Sequence, residues 1–320
     1  GSHSSGDAFT AGTTTVNYTA TDAAGNQSVC EFDVTVIDIT PPEAVCQDIT
    51  VVLSDSGSAT ITSFDIDGGA SSDNCGIASA VPTQTEFSCA DVGTNNVVLV
   101  VTDDNSNSAT CLSVVTVEDN TVPTALCDNI TVSLEASGSA VIMAGDIDDG
   151  SEDACGIASM TVSPNTFLCS DVGVNVVSLI VDDVNGNTSV CISLVTVEDD
   201  IAPLAICQNI TLALDSNGLA TMSASDIDAG TTDACGTFIT ASSSGFTCAD
   251  LGVNIVTLTA IDPSGNQGTC DAAVTVEDNQ APEILLCPSD MSMSNDPGNC
   301  DAVAFWTNPI ATDNCTLASF

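Results

Sequence analysis

Apolar and polar residues alternate along this chain in long runs. Examples are VVLVVTDDNSNSATCLSVVTVED, VSLIVDDVNGNTSVCISLVTVED and VTLTAIDPSGNQGTCDAAVTVED. A period of two puts successive apolar side chains on one face of a strand, so each run predicts a β-hairpin and not a helix. The interruptions DDNSN, DVNGN and DPSGN, with AAGN in the first run, carry the Asp, Asn and Gly chemistry of tight turns. The whole pattern recurs: ITPPEAVCQDIT, NTVPTALCDNIT, DIAPLAICQNIT and NQAPEILLCPSD place Cys46, Cys127, Cys207 and Cys287 at spacings of 81, 80 and 80 residues. Three complete units occupy 39–119, 120–199 and 200–279. Residues 1–38 hold the second half of a unit, and 280–320 hold the first half of one. About seven short strands per unit of this size predict an all-β chain of small antiparallel β-sandwiches.

Composition sharpens this picture. The chain has 320 residues, 44 Asp plus Glu and no Lys or Arg, for a formal charge of -44. Repulsion of that size opposes compaction, and divalent cations or a salty medium are the obvious means of neutralising it. Nucleic acid and anionic membranes are disfavoured as partners, because phosphate binding needs basic residues. Trypsin-like proteases find no cleavage site. Apolar residues make up 43% of the chain, which excludes disorder, while aromatics are only 3%, so the core must be aliphatic. Sixteen cysteines without a CxxC pair, beside a single His, point to an oxidising compartment and not to zinc. No apolar stretch is long enough to span a membrane.

The segments TPPEAVCQDITV, SSDNCG, FTAGTTTVNYTATDAAGNQSVCEFDVTV and CPSDMSMSNDPGNCDAVAFWTNPIATDNC resemble the hyalin repeat (HYR) domain, over essentially the whole chain. The resemblance implies an immunoglobulin-like fold, so that the chain reads as tandem immunoglobulin-like antiparallel β-sandwich repeats of about 80 residues. It also implies an extracellular or cell-surface location, commonly in bacterial tandem arrays, and a role in adhesion or matrix without catalysis. The three complete units depart from the family pattern. They lack the cysteine that stands at Cys300, and they gain one after the Phe, at Cys89, Cys169 and Cys248.

If the moved cysteine keeps its partner, two pairings follow. The first joins Cys46–Cys111, Cys127–Cys191 and Cys207–Cys270, with local pairs Cys75–Cys89, Cys155–Cys169, Cys235–Cys248 and Cys300–Cys315. It leaves Cys30 and Cys287 to bond between copies. The second joins Cys46–Cys75 and Cys89–Cys111, and so onward, leaving Cys30 and Cys300. The first is preferred, since the start of the first strand and the start of the last should share one end of a sandwich. The two chain ends also fit each other. Read in sequence, DNCTLASF followed by GSHSSGDAFTAG restores a unit of the family type. Either a larger protein repeats every 320 residues, or separate copies join head to tail into a filament; the plainer reading is a segment with arbitrary boundaries.

Acidic residues recur at fixed places. They lie at the exit of the last strand (Asp38, Asp119, Asp199, Asp278), before the second cysteine (Asp73, Asp153, Asp233, Asp313) and in the hairpin turn (Asp103, Asp182, Asp262). An immunoglobulin-like topology brings all three places to the junction between repeats. Convergent carboxylates with backbone carbonyls make a hard-cation site, so these residues are candidate calcium ligands. The paired Asp of DID (Asp65 and Asp67, Asp146 and Asp148, Asp226 and Asp228) form a weaker motif, and Asp also favours turns for its own sake. N-x-S/T sequons stand at Asn17, Asn26, Asn129, Asn187, Asn209 and Asn314, glycosylated only where the source has the machinery. His3, in a Ser-rich loop, is the only candidate base and lacks a placed partner. Phe9, Phe87, Phe167, Phe246 and Trp306 read as core.

The expectation is therefore a non-enzymatic, secreted filament or stalk segment, calcium-stiffened and continuing head to tail into copies of itself. A cell-surface adhesin or spacer that engages glycans or other surface components is the alternative.

Overall fold

The computed structural model describes residues 1–317 and 319. Its contacts gather into two compact units, Gly1–Asp128 with Ile147–Val162 and Ser178–Ile192, and Asn129–Asp146 with Ser163–Val177 and Ser193–Phe320.

In the first unit, β1 (Gly12–Thr21) and β2 (Gln27–Val36) form a ten-pair antiparallel hairpin. The first complete repeat follows, with β3 (Ile49–Val52), β4 (Ser58–Thr60), α1 (Ser63–Asp67), β5 (Ile77–Pro82), β6 (Glu86–Ser88), a 3-10 turn at Cys89–Asp91, β7 (Gly93–Asp103) and β8 (Ser108–Glu118). A four-stranded sheet in the order β3-β8-β7-β5 is set against the two-stranded β4-β6. Strand alternation turns Val97, Leu99 and Val101 of β7 and Val115 and Val117 of β8 inward. There they meet Leu53, Ile61, Phe87 and the α1 residue Ile66. Each fully buried aliphatic side chain contributes about 1.5–3 kcal/mol. This is an immunoglobulin-like sandwich, and its core is aliphatic as the composition requires.

The second repeat contains β9 (Ile130–Ser133), β10 (Ser139–Val141), α2 (Ala144–Ile147), β11 (Ile157–Ser163), β12 (Thr166–Leu168), β13 (Gly173–Asp183) and β14 (Thr188–Glu198), with sheet orders β11-β13-β14-β9 and β10-β12. The third contains β15 (Ile210–Ala213), β16 (Leu219–Thr221), α3 (Ala224–Ile227), β17 (Phe238–Ala241), β18 (Gly245–Thr247), β19 (Gly252–Ile261) and β20 (Gln267–Glu277). Its core again centres on Val256, Leu258, Val274, Val276 and Phe246. Finally, β21 (Glu283–Leu286) pairs with β22 (Ile310–Thr312).

Four details differ from the sequence expectation. The sandwiches are not wholly antiparallel, because β3, β9 and β15 run parallel to the last strand of their repeats. Each complete repeat has six strands, and the DID segment is helical. In α1 the Asp65 carboxylate accepts the Thr62 N–H at 2.6 Å and closes a capping box, which holds its pKa below the ordinary value. Trp306 is not core; it is 58% exposed.

Candidate functional site: the junctions between repeats

Three junctions, at Asp38, Asp119 and Asp199, are each assembled from three short pieces of chain. The first is the residue that leaves the last strand of the preceding repeat. Asp38, Asp119 and Asp199 are 9%, 7% and 7% exposed. In each, Oδ1 accepts the N–H two residues on: Thr40 at 3.1 Å, Thr121 at 3.1 Å and Ile201 at 3.2 Å. In each, Oδ2 is buried with no hydrogen-bond partner. A buried anionic oxygen without a donor is costly, and its threefold recurrence is not an accident of one loop.

The second piece is the turn of the β7–β8 hairpin and its counterparts. Asp103 accepts the N–H groups of Asn105 and Asn107 at 2.9 and 2.7 Å, and the Asn107 side-chain amide at 2.8 Å. Asn107 Nδ2 also donates to the Asp38 carbonyl at 3.1 Å. Asn187 joins Asp183 to the Asp119 carbonyl, and Asn266 joins Asp262 to the Asp199 carbonyl, at 3.0 and 2.7 Å. One asparagine thus ties each hairpin to the preceding linker. Burial acts to raise the Asp103 and Asp183 pKa values, but the donated hydrogen bonds outweigh it and hold both below the ordinary value.

Asp103 and Asp262 position the junction through these bonds. One expectation is corrected. Asp182 is not the hairpin carboxylate: it faces outward and accepts from Ser159 at 3.0 Å and Thr188 at 2.7 Å, while Asp183 turns inward. Strand alternation decides between neighbours. The signal was available, since Asp183, like Asp103, stands four residues before the turn asparagine.

The third piece is the loop before β5, β11 and β17. Asp73, Asp153 and Asp233 accept the N–H of Cys75, Cys155 and Cys235 at 2.7, 2.8 and 2.8 Å. Potential ligand atoms of Asp38, Asp73 and Cys75 lie within 4.8 Å of one another, as do those of Asp119, Asp153 and Cys155, and of Asp199, Asp233 and Cys235. Asp313 and Asp278 sit at the fourth junction: Asp313 accepts the Cys315 N–H at 2.9 Å, and Asp278 accepts Asn314 Nδ2 at 3.1 Å.

The cysteines overturn the expected local pairs. Cys46–Cys111, Cys127–Cys191 and Cys207–Cys270 are bonded within repeats. Cys89, however, bonds Cys155 of the next repeat, Cys169 bonds Cys235, and Cys248 bonds Cys315. Cys75–Cys89, Cys155–Cys169, Cys235–Cys248 and Cys300–Cys315 do not form. The reason is geometric: β5 runs its six residues, about 20 Å, between Cys75 at the entry end and Cys89 at the exit end. At the exit, the tip glycines Gly57, Gly138 and Gly218, with φ of 71°, 74° and 72°, lie against the Sγ atoms of Cys89, Cys169 and Cys248. They also touch Ala154, Ala234 and Asn314 of the next repeat. A side chain at these positions would be strained and would collide with the disulfide. Cys30, Cys75, Cys287 and Cys300 are free thiols. Burial, then the neighbouring Asp38 carboxylate, pushes the Cys75 thiol pKa up.

The sequons divide by use of their amide. Asn17 lies on β1 and is exposed. Asn129 and Asn209 accept the Leu194 and Ala273 N–H groups through Oδ1 at 2.7 and 2.8 Å. Asn26, Asn187 and Asn314 use Nδ2, the atom a glycan would take, as a donor within the fold.

No helix among the described residues is long and apolar enough to cross a membrane. The chain resembles three tandem immunoglobulin domains of titin at 9% identity and a TM-score of 0.35, covering 75% of this chain and 100% of that one. It resembles the first four extracellular cadherin domains of PcdhgB3 at 12% identity and a TM-score of 0.31, covering 84% and 83%. In sequence it is 30% identical over 337 residues to hyalin of Strongylocentrotus purpuratus, covering 98% of this chain. It spans about a quarter of that relative's length (27%). A sea urchin relative gives no support to the bacterial source expected above. The HYR domain matches residues 2–36, the hairpin segment whose text continues in every repeat. The match over residues 2–36 and the likeness to hyalin, together with repeats that share one strand order and one junction chemistry, support an HYR-domain protein.

Proposed function

We propose that this chain is a load-bearing stretch of an extracellular repeat array, continuing head to tail into further copies, with a mechanical and not a catalytic role. The observation that carries it is the disulfide between neighbours. Cys89–Cys155, Cys169–Cys235 and Cys248–Cys315 each bond the exit of one repeat to the entry of the next. Tension along the array then passes through sulfur as well as through the linker. The repeats 39–119, 120–199 and 200–279 act as the folding units, and six disulfides suit an oxidising space outside the cell.

Calcium at the junctions completes this reading. The unpartnered Oδ2 atoms of Asp38, Asp119 and Asp199 support it, each beside the carboxylate of Asp73, Asp153 or Asp233. Oxygens up to 4.8 Å apart can flank one ion at about 2.4 Å each. Disulfide sulfur is a poor ligand for a hard cation, so the site rests on oxygens. Asp278 and Asp313 would hold the equivalent ion at the fourth junction.

Electron microscopy of the native material tests both parts. Long, straight fibres that slacken in a chelator are expected. Single short rods would remove the head-to-tail reading, and fibres indifferent to chelation would remove the calcium.

A further inference from the structure

The four free thiols are not equivalent strays. Cys287 and Cys30 stand where Cys46 and Cys111 stand in a complete repeat. Cys75 stands where Cys155, Cys235 and Cys315 stand, and each of those bonds the exit cysteine of the preceding repeat. The segment preceding Cys75 has lost its exit cysteine. Phe9-Thr10-Ala11-Gly12 is three residues shorter than Phe87–Gly93, which carries Cys89 in its 3-10 turn. Cys75 instead borders an open groove lined by Phe9, Thr10, Ala11, Val36 and Ile37.

Cys300 supplies what is missing there. A tip turn with a positive-φ glycine is also present at Asp296–Asn299. The Asn299 N–H donates to the Asp296 carbonyl at 3.0 Å with Gly298 (φ 86°) third in the turn, whereas in the first complete repeat the fourth residue, Gly57, donates to Ser54 at 2.8 Å. In the complete repeats this tip glycine lies on the junction disulfide and on the loop of the next repeat. Cys300, two residues beyond Gly298, is within about 7 Å of that place along the chain. The exit cysteine has moved from one lip of the junction to the other.

Ser2 holds, beside β1, the place of the residue that follows β5 and β17. Its N–H donates to the Asn17 carbonyl at 3.0 Å, and its Oγ accepts the Asn17 N–H at 3.2 Å. Thr83 makes the same pair with Val98 at 2.9 and 3.0 Å, and Ser242 with Thr257 at 2.9 and 3.0 Å. Thr83 and Ser242 follow β5 and β17, the third strands of their repeats. From Ser2 to Gly12 is ten residues, as from Thr83 to Gly93 and from Ser242 to Gly252.

We propose that a second copy of this chain lays its 280–317 segment onto the β1–β2 hairpin, where the first half of a complete repeat lies, and that its Cys300 then bonds Cys75, with Cys287 bonding Cys30. The inference rests on the head-to-tail reading and specifies its joint. Each bond joins two Sγ atoms with loss of two protons and two electrons. A protein or small-molecule disulfide takes up the electrons by exchange and leaves as its dithiol. The tip at Gly298 then sits on Asn74 as Gly57 sits on Ala154. All sixteen cysteines are paired.

The chain refolded with oxidised and reduced glutathione, run without reductant and mapped by mass spectrometry after Glu-C and Asp-N digestion, tests this. A ladder of chain multiples containing Cys75–Cys300 and Cys30–Cys287 peptides is expected. Cys300→Ser should leave Cys75 alkylatable while Cys30–Cys287 persists. A ladder with Cys75 free, or bonded to another Cys75, overturns the proposed joint and leaves head-to-tail assembly standing. A monomer with four alkylatable thiols overturns assembly between separate chains. Two copies fused directly then decide the pairing: Cys300 of the first bonded to Cys75 of the second upholds it, and any other partner for Cys75 refutes it.

Discussion

The first complete repeat and the β1–β2 hairpin carry nearly the same text, yet they bury it differently. Leu99 of β7 is fully buried, while Tyr18, at the matching place in β1, is 41% exposed. Val115 and Val117 of β8 are buried, whereas Val34 and Val36 of β2 are only partly covered. The hairpin keeps its ten-pair register and its Asp22–Asn26 turn without the other sheet. The other half fares differently. Residues 287–309 contain no strand, though their counterparts in complete repeats form β3 and β4. Long antiparallel hairpins with a good turn hold themselves, while strands of three or four residues need a template. The second half of a repeat is therefore the scaffold, and the first half is moulded on it.

Several measurements break or sharpen this contrast. The largest effect is expected from opening a disulfide within a repeat. Cys127→Ala with Cys191→Ala releases a loop with 64 residues of separation and should cost about 4 kcal/mol in urea unfolding. Cys30→Ala on the isolated chain should leave the midpoint unchanged; an equal loss there would mean the hairpin is already completed. Next comes the core. Leu99→Ala should cost about 3 kcal/mol. Tyr18→Ala should cost less than about 0.5 kcal/mol in the separate chain and several times more once copies are joined. A third contrast lies in the turn asparagines. Asn187→Ala strips the tie from Asp183 to the Asp119 carbonyl and should cost about 1–2 kcal/mol, against less for Asn26→Ala, whose bonds stay within its own turn.

The smallest effect concerns pH. Asp103 and Asp183 have folded pKa values below the ordinary one, despite burial, because of donated hydrogen bonds. Their contribution is full above the unfolded value of about 4 and is lost as pH falls through the lowered folded values. Melting temperature should hold from pH 7 to 5 and decline below about 4. A continued rise in acid would mean that relief of the -44 charge outweighs them.

Much of this architecture is legible in the sequence because strands obey a period of two. The alternation in β7, β8, β19 and β20 fixes both the strands and their inward faces. The convergence of Asp38, Asp73 and the Asp103 hairpin was readable from recurrence. Two things were not. The DID segment folds as a helical turn because Asp65 caps the backbone at Thr62, a local bond that no hydrophobic period announces. The junction disulfides are not legible on the premise that the moved cysteine keeps its partner within the repeat: Cys75 and Cys89 are close in sequence but stand at opposite ends of β5. The even spacings of 66, 66 and 67 residues from Cys89, Cys169 and Cys248 to their partners were the overlooked signal.

The disulfide loops overlap like shingles. They run 46–111, 89–155, 127–191, 169–235, 207–270 and 248–315, so every peptide bond from Cys46 to Cys315 lies inside at least one of them. A single cut anywhere in that span opens the backbone without separating the pieces. The covalent thread has a second route around each break, and an array built this way would keep its continuity under the slow, random damage that anything long-lived outside a cell accumulates.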